Sequence, residues 1–112
     1  MSDRSLLTGE AMQLVERAGM FMIRLCSDHA AYEAVPIKRL RVDIASLKVL
    51  LERKGDCEVT LWTPQFMVIR RRDASEVTIF DDGRMIIRNV TDQDTARRIA
   101  ERLLPDEVMK KR

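Results

Sequence analysis

The segment from Glu76 to Leu104 constrains the fold of this chain more than any other stretch. Its sequence, EVTIFDDGRMIIRNVTDQDTARRIAERLL, contains two short runs of alternating apolar and polar residues on either side of Asp82-Gly83. An Asp-Gly pair between two such runs is typical of the turn of a β-hairpin. Thr91 is predicted to cap the amphipathic helix that follows. The segment therefore predicts a hairpin that leads directly into a helix.

The residues before this segment predict a further helix and a strand at the start of the chain. From Gly9 to Ala34, apolar residues recur at spacings of three and four, which indicates a helix with one apolar stripe. Pro36 is expected to end that helix, and a strand is predicted from Val35 to Val42. The stripe of the predicted N-terminal helix consists of Met12, Val15, Gly19, Met22, Cys26 and Ala30.

A second helix and four strands are predicted to follow. Asp43 and Gly55 are residue types that begin and end helices, and they bracket a short apolar-patterned run at Ile44–Lys54. Turn residues then separate four short strand-like runs. These predicted strands are Cys57–Trp62, Phe66–Arg72, Glu76–Phe80 and Arg84–Val90.

Together these elements predict a single domain, residues 1–112, of the α+β class. Its expected architecture is a five-stranded antiparallel sheet with two helices on one face, in the order β-α-β-β-β-β-α, plus an N-terminal helix. The helix is expected at residues 9–34, the core at residues 35–105 and a frayed tail at residues 106–112.

Composition excludes several classes of protein. The chain has 112 residues, of which 46% are hydrophobic and 34% charged, so wholesale disorder is excluded. No apolar run reaches the roughly 18 residues of a membrane-spanning helix, and the first residues lack the layout of a secretory signal. A cytoplasmic protein with two reduced cysteines and no membrane association is therefore expected. The net charge of +2 is too small to argue for nucleic acid by itself.

Residues 35–105 resemble two protein families. The predicted element order, together with FMVIRRRDASEVTIFDDGRMIIRNVTDQDTARRIAERL, resembles one half of the TATA-box-binding protein. The runs LRVDIASLKVLLERKGDCEV, FDDGRMII and VTDQDTARRIAERLL also resemble the small C-terminal domain of ubiquitin-activating-enzyme-like adenylyltransferases, which serve sulfur-carrier proteins. The chain has one repeat where the TATA-box-binding protein has two, and it lacks the nucleotide-binding domain of the adenylyltransferases. The resemblances imply this α+β fold and a protein or nucleic-acid partner. No catalytic residue of either family can be assigned to this chain.

Strand alternation, taken without bulges, predicts the two faces of the sheet. The helix-covered face is expected to consist of Leu40, Val42, Val59, Leu61, Met67, Ile69, Val77, Ile79, Met85 and Ile87. The opposite face mixes aromatic, aliphatic and arginine side chains. Nine of its residues are predicted to form a binding face: Arg39, Arg41, Trp62, Phe66, Arg70, Arg72, Phe80, Arg84 and Arg88.

Three hypotheses stay open for this face. The N-terminal helix covers it, with the arginines paired at the rim to Glu10, Glu16, Asp28 or Glu33. Alternatively, a second copy of the chain pairs with it. In the third hypothesis it binds nucleic acid, with arginines on phosphates and aromatic side chains between bases, as the resemblance to the TATA-box-binding protein implies.

The residue types that serve as nucleophiles or metal ligands predict neither a catalytic site nor a metal site in this chain. Cys26 and His29 lie three residues apart, and Cys57 would bring the set to three ligands where a structural zinc site normally has four. No glycine-rich phosphate loop or nucleophile elbow is present, so no cofactor is expected. The prediction is a non-catalytic binding or assembly module that self-associates or binds a protein partner, with a possible link to carrier-protein activation. The alternative is a nucleic-acid-binding protein.

Overall fold

The computed structural model of the protein describes residues 19–26 and 31–111. Its strands are β1 (Phe21–Leu25), β2 (Ala31–Pro36), β3 (Leu40–Val42), β4 (Cys57–Trp62), β5 (Phe66–Arg71), β6 (Glu76–Phe80), β7 (Met85–Arg88) and β8 (Met109–Lys111). Its helices are α1 (Ile44–Lys54), α2 (Gln93–Leu103) and a short 3-10 helix at Asp106–Val108. The α+β class and the antiparallel sheet with two α-helices are thus confirmed.

The main sheet, within the described residues, has six strands where five were predicted. Their order is β1-β2-β7-β6-β5-β4, and every neighbouring pair is antiparallel. Strands β3 and β8 form a separate two-stranded sheet. Strand β1 and most of β2 come from the segment predicted as a helix, and β8 comes from the predicted frayed tail. Strand β3 lies within the predicted strand Val35–Val42, but it pairs with β8 outside the main sheet.

Capping residues fix both ends of α1 and the start of α2. The Asp43 carboxylate accepts a hydrogen bond from the amide of Ser46 at 3.2 Å. Gly55 takes a positive φ of 75° and donates its amide to the carbonyl of Leu51, as predicted for a helix end. The N-cap of α2 is Asp92, and the prediction of Thr91 is one residue too early. Hydrogen bonds from the side chain and the amide of Thr95 lower the pKa of Asp92.

The core lies between the two helices and one face of the main sheet. Leu47 from α1 and Ala96 and Ala100 from α2 are fully buried in the same cluster as the sheet residues. The predicted helix-covered face is correct for six central residues, none of which has any exposed surface: Met67, Ile69, Val77, Ile79, Met85 and Ile87. The face prediction therefore holds on β5, β6 and β7.

A β-bulge in β4 reverses the prediction for two residues. Val59 pairs with Ile69, but Leu61 pairs with Val68, so one extra residue stands in β4 between Val59 and Leu61. An extra residue moves the following side chains to the opposite faces. Leu61 therefore leaves the helix side and is 53% exposed, while Trp62 leaves the open face and pairs with Met67 on the helix side.

The predicted helix at residues 9–34 is wrong wherever the structure describes that segment. Residues 21–25 and 31–34 belong to the antiparallel hairpin of β1 and β2. In β1, Phe21 and Ile23 are buried whereas Met22 and Arg24 are exposed. That period of two belongs to a strand, and it outweighs the weaker spacing of three and four. Residues 9–18 and 27–30 of the predicted helix lie outside the described residues.

The predicted strand at Val35–Val42 and the predicted frayed tail also differ from the structure. Pro36 ends β2, and the chain bends before β3 begins at Leu40. The tail forms a 3-10 helix with a fully buried Val108, and β8 then pairs with β3. The Val108 carbonyl accepts the amide hydrogen of Asp43 at 2.9 Å. Burial of Val108 and these backbone hydrogen bonds fix the tail.

Candidate functional site

The face of the main sheet that points away from α1 and α2, here called the open face, carries an apolar strip that crosses all six strands. Its outermost members, Leu61 on β4 and Met22 on β1, are 53% and 55% exposed. The members between them are half-buried. The apolar strip consists of Leu61, Phe66, Val68, Phe80, Ile86, Val35 and Met22.

An aromatic pair and an arginine form one corner of the open face. Phe66 and Phe80 stand opposite each other on β5 and β6, with ring centroids 6.2 Å apart. The guanidinium carbon of Arg84 lies 4.6 Å from the centroid of the Phe80 ring, which is cation–π geometry. These three predicted binding residues therefore come together as one packed cluster.

Glu33 on β2 links two arginines of the open face, Arg24 and Arg84. Its carboxylate lies 2.8 Å from Nη2 of Arg24 and 3.4 Å from Nη1 of Arg84. The Nε atom of Arg84 also lies 3.1 Å from the Asp82 carboxylate. Glu33 was named as a rim partner for arginines, and it has that role. The other named partners, Glu10, Glu16 and Asp28, lie outside the described residues.

A row of alternating charges crosses four neighbouring strands of the open face. Glu58 on β4 pairs in register with Arg70 on β5, which stands opposite Glu76 on β6, which stands opposite Arg88 on β7. This row is called the charge ladder below. Its arginines each stand beside a carboxylate, so they do not form the continuous basic surface that nucleic acid favours.

The structure places four of the nine predicted binding residues away from the open face. Arg39 precedes β3 and Arg41 lies within it, outside the main sheet. Trp62 and Arg41 line a hollow of about 340 Å³ that α1 also borders. Arg72 follows β5 and donates a hydrogen bond to the carbonyl of Gly55 at 3.1 Å. The open face retains Phe66, Arg70, Phe80, Arg84 and Arg88.

A cleft of about 590 Å³ lies on the helix side of the sheet, between α1 and α2. The end of α1, the start of β4 and the turn after β5 form one wall, and α2 forms the other. Its floor is apolar, through Leu51, Ile99 and Leu103. Its charged lining comprises five basic residues, Lys54, Arg71, Arg72, Arg98 and Arg102, and two acidic residues, Asp56 and Asp73. This region is called the cationic cleft below.

The cationic cleft was not predicted from the sequence, although the stripe of α2 that forms one wall is visible there. Arg98 and Ile99 lie three and four residues after Thr95, and Arg102 lies four and three residues after them, so the four residues share one stripe of α2. The other wall comes from residues that are distant in sequence from α2. Only tertiary packing brings the two walls together.

Cys57 shows no activation for catalysis. Burial raises the pKa of the Cys57 thiol, as does the neighbouring Asp56 carboxylate, whereas Arg71 and Lys54 act in the opposite direction. The thiol of Cys57 therefore stays protonated near neutral pH, without the thiolate that nucleophilic chemistry requires. Cys26 is half-buried, and its proposed partner His29 lies outside the described residues. Within residues 19–26 and 31–111, no group of three or more His, Cys, Asp or Glu residues could hold a metal ion.

Comparison with protein-family models, with curated proteins and with solved structures finds no match for this chain. In the part of the chain that the structure describes, no helix has the length and apolar composition needed to cross a bilayer. The open face and the cationic cleft are the two candidate sites of the described residues.

Proposed function

We propose that this protein is a non-catalytic assembly module that binds another protein chain through its open face, and that the first occupant of that face is a second copy of itself. The observation that carries the proposal is the apolar strip, which crosses six strands and is half-exposed at Leu61 and Met22. A contiguous apolar strip bordered by charged residues is typical of a protein interaction surface.

The charges on the open face favour a protein over nucleic acid. Four arginines, Arg24, Arg70, Arg84 and Arg88, are accompanied there by four carboxylates, those of Glu33, Glu58, Glu76 and Asp82. Phosphate binding depends on an excess of basic side chains that displaces counterions. The described part of this face has no such excess. Its equal numbers of arginines and carboxylates favour a protein partner over nucleic acid.

The order of residues along the strands makes the face complementary to itself. A two-fold axis parallel to the strands, between β5 and β6, exchanges β5 with β6 and β4 with β7. In a second copy related by that axis, the charge ladder runs in reverse over the first. Glu58 then faces Arg88 of the other copy, and Arg70 faces Glu76. Opposite charges meet at every position, as an isologous interface requires.

The same axis also matches the apolar strip. Leu61 comes to lie over Ile86 of the other copy, and Phe66 over Phe80. Two sheets that pack face to face keep their strands nearly aligned, so this arrangement is compatible with ordinary sheet packing. One geometry therefore satisfies both the charge ladder and the apolar residues on β4–β7, while Met22 and Val35 on β1 and β2 lie beyond the overlap of the two sheets.

Sedimentation velocity over a range of protein concentrations tests the proposal. Wild type is expected to shift from monomer to dimer as its concentration rises. Val68→Glu, which places a charge in the apolar strip, is expected to remain monomeric. Val49→Glu is the matched control, because Val49 is 50% exposed on α1, outside the open face. A monomeric wild type at all concentrations, or equal loss of dimer in the control, would contradict the proposal.

The resemblance to the adenylyltransferase C-terminal domain adds a heterologous partner to this proposal. We infer that such a partner, if it belongs to carrier-protein activation, uses the same open face. Affinity purification from the native host with wild type and Val68→Glu as baits tests this. Recovery of an adenylyltransferase or a carrier protein by wild type alone is the expected result, and its absence from both baits counts against the link.

A short DNA duplex at low salt tests the nucleic-acid alternative. Because the arginines of the open face stand beside carboxylates, we expect Arg70→Ala plus Arg88→Ala to leave any residual DNA binding unchanged. A steep salt dependence together with a large loss in this double variant would favour nucleic acid instead.

A further inference from the structure

We propose that the cationic cleft binds a small organic phosphate, with Arg72, Arg98 and Arg102 around the phosphate oxygens and the apolar floor beneath the rest of the ligand. The cleft lies on the helix side of the sheet and shares no residue with the open face. Phosphate binding is therefore a second function, independent of self-association.

The charge of the cleft is the first argument for an anionic ligand. Five basic residues against two acidic ones leave an excess of three positive charges, whereas the whole chain has a formal net charge of only +2. One of the two carboxylates already neutralises a basic residue, because Asp73 forms an ion pair with Nη1 of Arg71 at 3.1 Å. The other acidic residue of the lining is Asp56, against four further basic residues. Such a concentration of like charge is relieved by a ligand with several negative charges.

The side-chain arrangement favours phosphate over a single carboxylate. Arg98 and Arg102 are successive exposed residues on one stripe of α2, and Arg72 approaches from the opposite wall. Guanidinium groups bind phosphate oxygens through paired, charge-assisted hydrogen bonds. A phosphate group carries close to two negative charges near neutral pH and presents three acceptor oxygens. It can therefore engage both walls at once.

The anchoring of Arg72 and its neighbour Arg71 limits the entropy that binding on this wall of the cleft would cost. Arg72 is held by its hydrogen bond to the Gly55 carbonyl, and Arg71 by Asp73 and the buried Ser75. Arg72 also lies next to the C-terminal end of α1, where it offsets the partial negative charge of the helix. Side chains that are already positioned lose less freedom when a ligand arrives.

The size and floor of the cleft indicate an organic body attached to the phosphate. A volume of about 590 Å³ lies within the range of small-molecule sites, roughly 300–1,000 Å³. Leu51 and Ile99 are buried in the floor, and Leu103 is half-buried. Inorganic phosphate would leave the exposed part of Leu103 uncovered. A nucleoside diphosphate has the required combination of a ring system and several negative charges.

Isothermal titration calorimetry with ADP, inorganic pyrophosphate and adenosine tests the proposal. We expect ADP to bind more tightly than pyrophosphate, because only ADP also covers the apolar floor, and adenosine to show no binding up to about 10 mM. Arg98→Gln plus Arg102→Gln is expected to weaken ADP binding about tenfold or more, through loss of charge-assisted contacts. Both residues are exposed, so the double variant should keep its melting temperature.

Two controls separate a built site from general electrostatic attraction. Arg53→Gln removes a positive charge from the last turn of α1 at a residue that does not line the cleft, and it should bind ADP as wild type does. Val68→Glu, on the open face, should also bind ADP normally while losing the dimer. Equal weakening by Arg53→Gln and by the double variant would overturn the proposal.

Protection of Cys57 gives a second readout that needs no variant. This thiol lines the cleft, so bound ADP should slow its alkylation, measured by peptide mass spectrometry, several-fold, while alkylation of Cys26 stays unchanged. Absence of ADP binding at low ionic strength, or an unchanged alkylation rate of Cys57 at saturating ADP, would refute the site.

Discussion

The side-chain nitrogen of Lys48 lies 5.5 Å from the centre of the Trp62 ring. Lys48 belongs to α1 and Trp62 to the edge strand β4, so this cation–π contact joins a helix to the sheet. It also places the single tryptophan of the chain on the helix side. Trp62 is therefore a probe of the α1–β4 contact and is separated from the open face by the sheet.

This contact leads to a fluorescence prediction. Lys48→Met should shift the emission of Trp62 and lower the free energy of unfolding by about 0.5–1 kcal/mol, the usual size of a cation–π contact at a partly exposed site. Val68→Glu, on the other side of the sheet, should leave the emission unchanged. Steady-state spectra of the folded proteins make the comparison. An emission change in Val68→Glu alone would mean that Trp62 lies on the open face and would contradict its assignment to the helix side.

The turn between β6 and β7 has a residue that tolerates no side chain. Gly83 takes a φ of 89°, and a Cβ atom there would lie 2.5 Å from Cδ1 of Leu40 and 2.8 Å from Cγ of Pro36. Gly83→Ala should therefore cost about 2–5 kcal/mol, from backbone strain and overpacking combined.

Gly55→Ala is the matched control for this prediction. Gly55 has a similar φ of 75°, but nothing lies within 4 Å of the Cβ position. Only the backbone strain of about 1–2 kcal/mol is then expected. Urea unfolding of both variants measures the difference, and equal losses would show that the contact with Leu40 and Pro36 is unimportant.

Two neighbouring isoleucines on β7 test the assignment of the faces. Ile87 is fully buried under the helices, whereas Ile86 is half-buried on the open face. Ile87→Ala should cost about 2–5 kcal/mol because it leaves a cavity, and Ile86→Ala about 1 kcal/mol or less. Chemical unfolding at a concentration that keeps the chain monomeric is the suitable measurement. The reverse order would mean that the strand is out of register.

Asp73 should make a pH-dependent contribution to stability. Hydrogen bonds from the side chain and amide of Ser75 lower the pKa of Asp73 in the folded protein. A lowered pKa in the folded state stabilises the fold at pH values above the pKa of the unfolded chain, which is about 4 for an aspartate. That contribution is lost as the pH falls through the folded pKa.

Asp73→Asn should accordingly be less stable than wild type at neutral pH. We expect a loss of about 1 kcal/mol in the free energy of unfolding. This is less than a hydrogen bond to a buried charged group contributes, because Asp73 is half-exposed. The difference between the two proteins should shrink as the pH falls from about 5 towards 2. Thermal unfolding over this range measures it. A difference that stays constant with pH would argue against an ionised Asp73 in this turn.

The sequence predicted the elements whose determinants are local. Asp43 and Gly55 carry the cap preferences of α1, and Asp82-Gly83 specifies the hairpin turn. The period-two pattern of β5, β6 and β7 was long enough to assign their faces correctly. These features depend on neighbouring residues, which sequence patterns describe directly.

The errors arose where packing decides between local alternatives. The spacing of three and four from Met12 to Ala30 predicts a helix, whereas the structure buries alternate residues of Phe21–Leu25, as in a strand. Pairing of β1 with β2, and of β2 with β7, decides for the strand. The bulge in β4 has no distinctive residue, and it moved Leu61 and Trp62 to faces opposite those predicted.

The candidate site was predicted in part for the same reason. Phe66, Arg70, Phe80, Arg84 and Arg88 lie on strands with correct registers, so their common face followed from alternation. Arg72 lies in the turn after β5, outside that face, and its guanidinium binds the Gly55 carbonyl, 17 residues away in sequence. Contacts of this range also build the cationic cleft, which no local pattern specifies.

Intermolecular NOEs in a mixture of isotope-labelled and unlabelled chains test the proposed self-association most directly. Within one chain, Leu61 on β4 and Ile86 on β7 are separated by three strand spacings, about 14 Å, too far for an NOE. In the proposed dimer their methyl groups meet across the two-fold axis. Filtered NOEs between Leu61 and Ile86 are the expected result. Intermolecular NOEs that involve only Val49 and the outer surface of α1, or none at a concentration where the chain sediments as a dimer, would contradict it.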